Sequence, residues 1–200
     1  MKSIVVLISM IVLCSANAKA QNTKSVLIFK DGTQLEGLAK VNFWEQIKFR
    51  KGKGEKRERY TFDEVDTLKL FEDTEPSIYV QVKIKGEGFH EILEVVDQGK
   101  NLIYYRDRNE RYYAPATMPN GNMPPIPMGG SYSYTDSYVR KPGENEATYL
   151  ASTNWLSGNF KKMASQYFED CPALVAKIQN KEFKKKHLKE IITYYNTQCK

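Results

Sequence analysis

From Gln34 to Phe43, the residues Leu35, Gly37, Ala39, Val41 and Phe43 alternate with Gln34, Glu36, Leu38, Lys40 and Asn42. From Ile78 to Lys85 the alternation returns, with Ile78, Val80, Val82 and Ile84 as the apolar set. A period of two puts one set on one face of an extended strand and matches no helical stripe, so these segments must sit in a half-buried sheet. Turn chemistry delimits further strands on their flanks. Ser25 to Lys30 runs into Asp31-Gly32, and Ile47 and Phe49 run into Lys51-Gly52-Lys53-Gly54. Arg57 to Phe62 returns, and Phe62-Asp63-Glu64-Val65 makes a tight turn toward Leu68 and Leu70. Residues 25–71 therefore read as one β-meander. Residues 76–113 read as a second, with turns at Gly86-Glu87-Gly88 and Asp97-Gln98-Gly99, strands Phe89 to Val96 and Lys100 to Arg106, and Tyr112 and Tyr113 at its close. The two are of similar length and share no residue-level repeat.

The pattern then breaks. Ala114 to Gly130 holds five prolines and no charged residue, which predicts a loop or a polyproline-II linker. Ser131 to Ser152 reads as a hairpin about Lys141-Pro142-Gly143-Glu144. Beyond it the period lengthens. Phe160, Met163, Ala164, Tyr167 and Phe168 form one helical stripe; Cys171, Leu174, Val175 and Ile178 form a second; Leu188, Ile191, Ile192, Tyr195 and Cys199 form a third. Asp170 is the expected N-cap of the middle helix, because Pro172 fits only a first helical turn. Asn180 to Lys186 is polar enough to turn between the last two. The predicted class is α+β: antiparallel β-meanders, as a small barrel or a sheet, followed by a C-terminal three-helix segment. The organisation is a leader at 1–20, a β-rich region at 21–113, the proline-rich loop at 114–130, the hairpin at 131–152 and the helical tail at 153–200.

The leader sets the compartment. Met1-Lys2-Ser3 is a short positive start, and Ile4 to Leu13 is apolar except for Ser9. That run is too short to span a bilayer, which takes about 20 apolar residues. Ala16-Asn17-Ala18-Lys19-Ala20 follows, and signal peptidase is expected to cut after Ala20, with Ala18 as the alternative. Leu13, where a small residue would be needed, argues against lipidation of Cys14. The expected addresses are periplasm, outer membrane or medium. Loss of Lys2 and Lys19 leaves 28 basic and 24 acidic residues. Nine lysines and four acids lie between Gly158 and Lys200, so the positive excess belongs to the tail. The plain reading is a solvated helix face, with at most peripheral membrane contact.

Two cysteines outlast the leader. Cys171 starts the second predicted helix and Cys199 ends the third, both on apolar stripes. Antiparallel packing would bring those ends together, and an oxidising compartment would join them as a disulfide.

The strand, Asp-Gly turn and glycine-bearing bent strand of Val26 to Leu70 resemble small Sm-like or SH3-like barrels. The mature chain as a whole resembles a group of exported proteins of Bacteroidetes. That likeness is carried by the leader, Lys30-Asp31-Gly32-Thr33 with Gly37, Glu94-Val95, Gly99-Lys100, Leu102 and Tyr104-Tyr105. In the tail it is carried by Tyr167-Phe168-Glu169-Asp170-Cys171-Pro172-Ala173-Leu174 and Tyr194-Tyr195-Asn196-Thr197-Gln198-Cys199. It implies a compartment and an architecture and brings no chemistry with it.

No motif demands a catalytic or cofactor reading. Cys171 with His187 would make a nucleophile and base only if the thiol were free. His90 and His187 lie far apart, show no metal-ligand spacing and accompany no Gly-x-Ser-x-Gly elbow. Asp63, Glu64 and Asp66, and Glu72, Asp73 and Glu75, cluster within single turns, and one turn cannot straddle a sugar as a glycosidase pair must. Met118, Met123 and Met128 offer soft thioethers suited to Cu(I), or simply a tolerated linker. Arg50, Lys51, Lys53, Lys56, Arg57 and Arg59 would suggest RNA in a cytosolic barrel, but export removes that partner. Tyr132, Tyr134 and Tyr138 are candidate sugar platforms or ordinary sheet cover. The expectation is a non-enzymatic envelope protein, without cofactor and without nucleic acid, that binds a protein or glycan through its sheet or basic tail. The alternatives are an envelope hydrolase using carboxylates and, third, a periplasmic copper protein.

Overall fold

The computed structural model describes residues 23–42, 46–72, 75–113, 130–154 and 159–199. The expectations on Ala18, Ala20, Cys14, Asp73 and the three methionines of the proline-rich segment lie outside the described residues, as does the side chain of Tyr132. The strands are β1 (Thr23–Phe29), β2 (Gln34–Asn42), β3 (Gln46–Arg50), β4 (Glu58–Tyr60) and β5 (Val65–Phe71), then β6 (Ser77–Lys83), β7 (His90–Gln98), β8 (Ile103–Tyr113), β9 (Gly130–Arg140) and β10 (Thr148–Ser152). The helices α1 (Phe160–Tyr167), α2 (Pro172–Gln179) and α3 (Leu188–Gln198) follow, with a single 3-10 turn, Lys185–His187, before α3.

The two meanders form one antiparallel sheet in the order β10-β9-β8-β7-β6-β5-β1-β2-β3-β4. β1 joins the ends of the first meander because it bonds β2 on one side and β5 on the other. β5 then passes the ladder to β6. The sheet is open, with β4 and β10 as its edges. A lone parallel bridge between Ile84 and Ala147 folds the start of β10 onto the end of β6. There Ala147 donates to the Lys83 carbonyl at 2.8 Å and Lys85 donates to the Ala147 carbonyl at 2.9 Å.

The apolar residues leave the sheet on both faces. Leu27, Ala39, Ile47, Phe49, Val65, Leu68 and Leu70 fill the curl of the first half. Strand alternation and the register place Val82, Leu93 and Tyr105 on the opposite face, where they pack with Ile84 and Ala147. Leu102, Tyr104 and Val139 share the face of the first core and are covered by Ala164, Phe168, Leu174, Ile178, Ile191, Ile192 and Tyr195 of the tail. Phe168 and Ile191 are fully buried, and each side chain contributes about 1.5–3 kcal/mol. The glycine inside the bent strand has a packing reason. A Cβ on Gly37 would stand 2.4 Å from the Arg50 carbonyl and 2.5 Å from the Phe49 ring.

Cys171 and Cys199 are joined as a disulfide, with Cα atoms 5.6 Å apart. Beside it lies a second tie between sheet and tail. The Lys141 ammonium donates to the Tyr167 carbonyl at 2.9 Å, pairs with Asp170 at 3.0 Å and lies over the rings of Tyr167 and Tyr195. The Tyr195 hydroxyl donates to the other Asp170 oxygen at 2.6 Å, and the Tyr167 hydroxyl donates to Glu144 at 2.8 Å.

Three local expectations are corrected. Asp97 and Gln98 belong to β7, not to a turn, because β7 bulges between Val95 and Asp97 and keeps its ladder to Gln98. β8 starts only at Ile103 and runs to Tyr113, carried by full-length pairing with β9. The N-cap of α2 is Cys171, because the Asp170 carboxylate is drawn to Lys141 and Tyr195.

Candidate functional site

The β7–β8 ladder is short. It runs from Gln98–Ile103 to Glu94–Arg106. Past that point both chains stay extended without each other among the described pairings. His90 to Leu93 follow β6, and Asp107 to Tyr113 follow β9. A bulge beside Val96 shifts the register just before the ladder ends. A fork opens where the ladder stops.

A cleft of about 410 Å³ occupies the fork. Its walls are Glu91, Ile92 and Glu94 of β7, Arg106 to Asn109 of β8, Tyr79 of β6, Leu70 and Glu72 at the end of β5, and Thr23, Ala39 and Lys40 from the curled first half. The volume lies within the range of small-ligand sites, about 300–1,000 Å³. The run Arg106-Asp107-Arg108-Asn109 lines it without a gap. A sheet face would present every second residue. Consecutive lining means that the cleft meets the edge of β8, where its backbone polar groups are.

Strand alternation gives the fork two rims. Tyr79, Glu94, Arg106 and Arg108 share one face through their registers. Glu94 is buried, and Arg106 holds it by two parallel bonds, Nε to Oε2 at 3.0 Å and Nη2 to Oε1 at 2.6 Å. This bidentate arrangement fixes both side chains. Arg108 adds one long contact, 3.6 Å from Nε to the same carboxylate, and its side chain is 69% exposed. Burial, then Glu94 and Glu72, push the Tyr79 phenol above its ordinary pKa.

The other rim is acidic. Asp107 and Asp136 are cross-strand partners, and Asn109 donates to both, at 2.8 and 3.4 Å. Burial pushes the Asp107 carboxyl up, and the charge of Asp136 adds to the shift. Glu91 is raised by burial first and then by Asp107, Glu87 and Asp136. Tyr138, which packs edge-on against Tyr149, is pushed up by burial and by the same carboxylates.

The residues singled out in the sequence fare differently. Cys171 is oxidised onto Cys199, so no thiolate is available for nucleophilic attack. His187 closes the 3-10 turn, its Nδ1 accepting from the Lys184 amide at 3.3 Å. His90 is exposed opposite Lys83 in the β6–β7 ladder. Asp63, Glu64 and Asp66 are exposed around the turn into β5, where Glu64 accepts from the Thr61 amide. Glu72 accepts from the Thr23 hydroxyl at 3.4 Å, and both line the cleft. The basic run surrounds the β3–β4 hairpin; Arg50 is half-buried, and Lys51, Lys53, Lys56, Arg57 and Arg59 are exposed. Among the described residues no group of His, Cys, Asp and Glu is placed to hold a metal ion.

Tyr79, Glu91, Glu94, Arg106, Asp107 and Arg108 were not selected by sequence reasoning. The available signal was the dense charge of Arg106-Asp107-Arg108-Asn109-Glu110-Arg111, unusual for a strand and explained by a strand with an open edge. Comparison with protein-family models, with curated proteins and with solved structures yields no match to this chain.

Proposed function

We propose that this is an exported, non-enzymatic protein of the cell envelope that binds an envelope protein or glycan, and that the cleft at the β7–β8 fork is its binding surface. The cleft carries the reading: a concave site whose polar groups are held in place by the Glu94–Arg106 pair. Export rests on the leader at residues 1–20, and the Cys171–Cys199 bridge is compatible with an oxidising compartment. The lysine-rich tail is the secondary surface in this reading. The test places a photo-crosslinking residue at the exposed Lys40 on the cleft wall and, separately, at the exposed Lys189, in the native envelope. A defined adduct from position 40 that excess unlabelled protein competes away supports the cleft. Adducts from position 189 alone would move the binding surface to the tail.

One observation favours a second reading, an envelope hydrolase. Glu91 and Asp107 both border the cleft, and burial raises both carboxyls, as a general acid requires. Release of soluble fragments from envelope polymer, abolished in both Glu91→Gln and Asp107→Asn, would establish the enzyme. No release at any pH between 4 and 8 leaves the binding reading in place.

A further inference from the structure

The fork is unusual in that two strands of one sheet each keep a partner on the outer side and lose the one between them. Strand edges are templates for a further strand, since their amides and carbonyls already point outward at the spacing a ladder needs. Recognition by strand addition draws affinity from those main-chain bonds and specificity from alternate side chains. The unbroken lining by Arg106 to Asn109 places such an edge in the wall of the cleft, and Glu91-Ile92 do the same from β7.

The rims add a charge code. Side chains of an inserted strand would point alternately to the two faces. On one face Arg106 is spent on Glu94, whereas Arg108 makes one long contact and its side chain stays largely exposed. That face accepts a carboxylate. On the other, Glu91 and Asp107 stand with Asp136 across the ladder, and none of the described ion pairs engages Glu91 or Asp107. That face accepts a cation.

We propose that the fork binds an extended peptide as an added strand between β7 and β8, with an acidic side chain toward Arg108 and basic neighbours toward Glu91 and Asp107. The inference rests on the cleft being the binding surface and names its ligand class. A neutral sugar would satisfy neither rim and would leave the strand edges without ladder partners.

The test is fluorescence anisotropy with three labelled peptides and the full protein: Gly-Lys-Glu-Lys-Gly, its isomer Gly-Lys-Lys-Glu-Gly, and the first peptide N-methylated at the central Glu. The alternating peptide is expected to bind at least about tenfold more tightly than either control, a difference of about 1.4 kcal/mol. Arg108→Ala and Asp107→Asn, each unfolding cooperatively at or above the wild-type temperature, should each weaken it several-fold, and 0.5 M salt should weaken it further. Equal binding of the N-methylated peptide, equal binding of the isomer, or no binding of any of the three overturns the inference. Chitohexaose bound in the cleft, and lost in Tyr79→Ala, would overturn the peptide and keep the cleft as the binding surface. Cleavage of the bound peptide would keep the docking mode and overturn the non-enzymatic reading.

Discussion

Asn196 of α3 lies so close over Gly99 that a Cβ on Gly99 would stand 2.0 Å from the Asn196 amide nitrogen. The same side chain accepts from the Asn101 amide at 3.1 Å and donates to the Leu102 carbonyl at 3.3 Å. Asn101 in turn donates to the Cys199 carbonyl at 2.8 Å. The β7–β8 turn is thus pinned to the end of the last helix, beside the disulfide. The helical layer thereby holds the closed end of the fork.

Gly99→Ala is expected to destabilise the protein by about 1–3 kcal/mol, the usual cost of overpacking, because Asn196 is short and held by two hydrogen bonds. Equilibrium urea unfolding measures it. Asn196→Gly in the same chain should recover part of the loss, since the clash goes even though the turn's bonds are not restored.

The Cys171–Cys199 bridge closes a loop with a sequence separation of 28 residues. The chain-entropy model assigns such a loop roughly 3.5 kcal/mol. A Cys171→Ser/Cys199→Ser variant should therefore unfold at a temperature lower by about 7–14 °C, taking about 2–4 °C per kcal/mol for a chain of this size. Quantitative thiol labelling of the denatured, non-reduced mature protein should find no free thiol.

Lys141 is the hub of the second tie. Lys141→Met keeps the aliphatic stem but removes the donor to the Tyr167 carbonyl and the cation beside Asp170, which keeps its bond from Tyr195, at a cost of about 1–2 kcal/mol. The pH dependence has a definite sign. Burial raises the Asp170 carboxyl, but the Tyr195 hydroxyl and Lys141 together lower it more, so its folded pKa lies below the ordinary value. A depressed carboxylate stabilises above its unfolded pKa, near 4, and that contribution is lost as pH falls through the folded value. Thermal melts from pH 6 to pH 2 should show the gap between wild type and Lys141→Met closing below about pH 4.

Asp107 behaves in the opposite sense. Its folded pKa is raised by burial and by Asp136, so the ionised form costs stability above that pKa, and protonation relieves the cost as pH falls toward the ordinary carboxylate range. Asp107→Asn can still accept from Asn109. The variant should melt above wild type at pH 7 to 8, with the difference vanishing by about pH 4.

The strands with clean alternation and the three tail stripes were legible because their burial follows from local period alone. The disulfide was legible because both cysteines fall on stripe ends that antiparallel helices bring together. Asp97-Gln98-Gly99 misled because turn-forming residues also occupy a bulged strand, and the real turn is fixed from afar by Asn196. Asp170 misled because a capping residue has a stronger partner in Lys141, 29 positions earlier in the chain. The far half of β8 shows no period, since Arg106 to Arg111 is polar at every position and is extended only because β9 pairs with it. The union of two meanders into one sheet depends on β1–β5 and β5–β6 pairing, which no local pattern encodes. The cleft was invisible for the same reason: it is made where a ladder stops.

Backbone amide hydrogen exchange, read residue by residue by NMR, tests the fork most directly. The account predicts strong protection on both strands over Glu94 to Gln98 and Ile103 to Arg106. It predicts that, beyond the fork, amides turned toward β6 or β9 stay protected while those turned into the cleft, within His90 to Leu93 and Asp107 to Asn109, exchange freely. Unbroken protection of every amide from Glu91 through Glu94 and from Arg106 through Asn109 in the free protein would mean that the two strands stay paired. That result would contradict the fork, and with it the cleft.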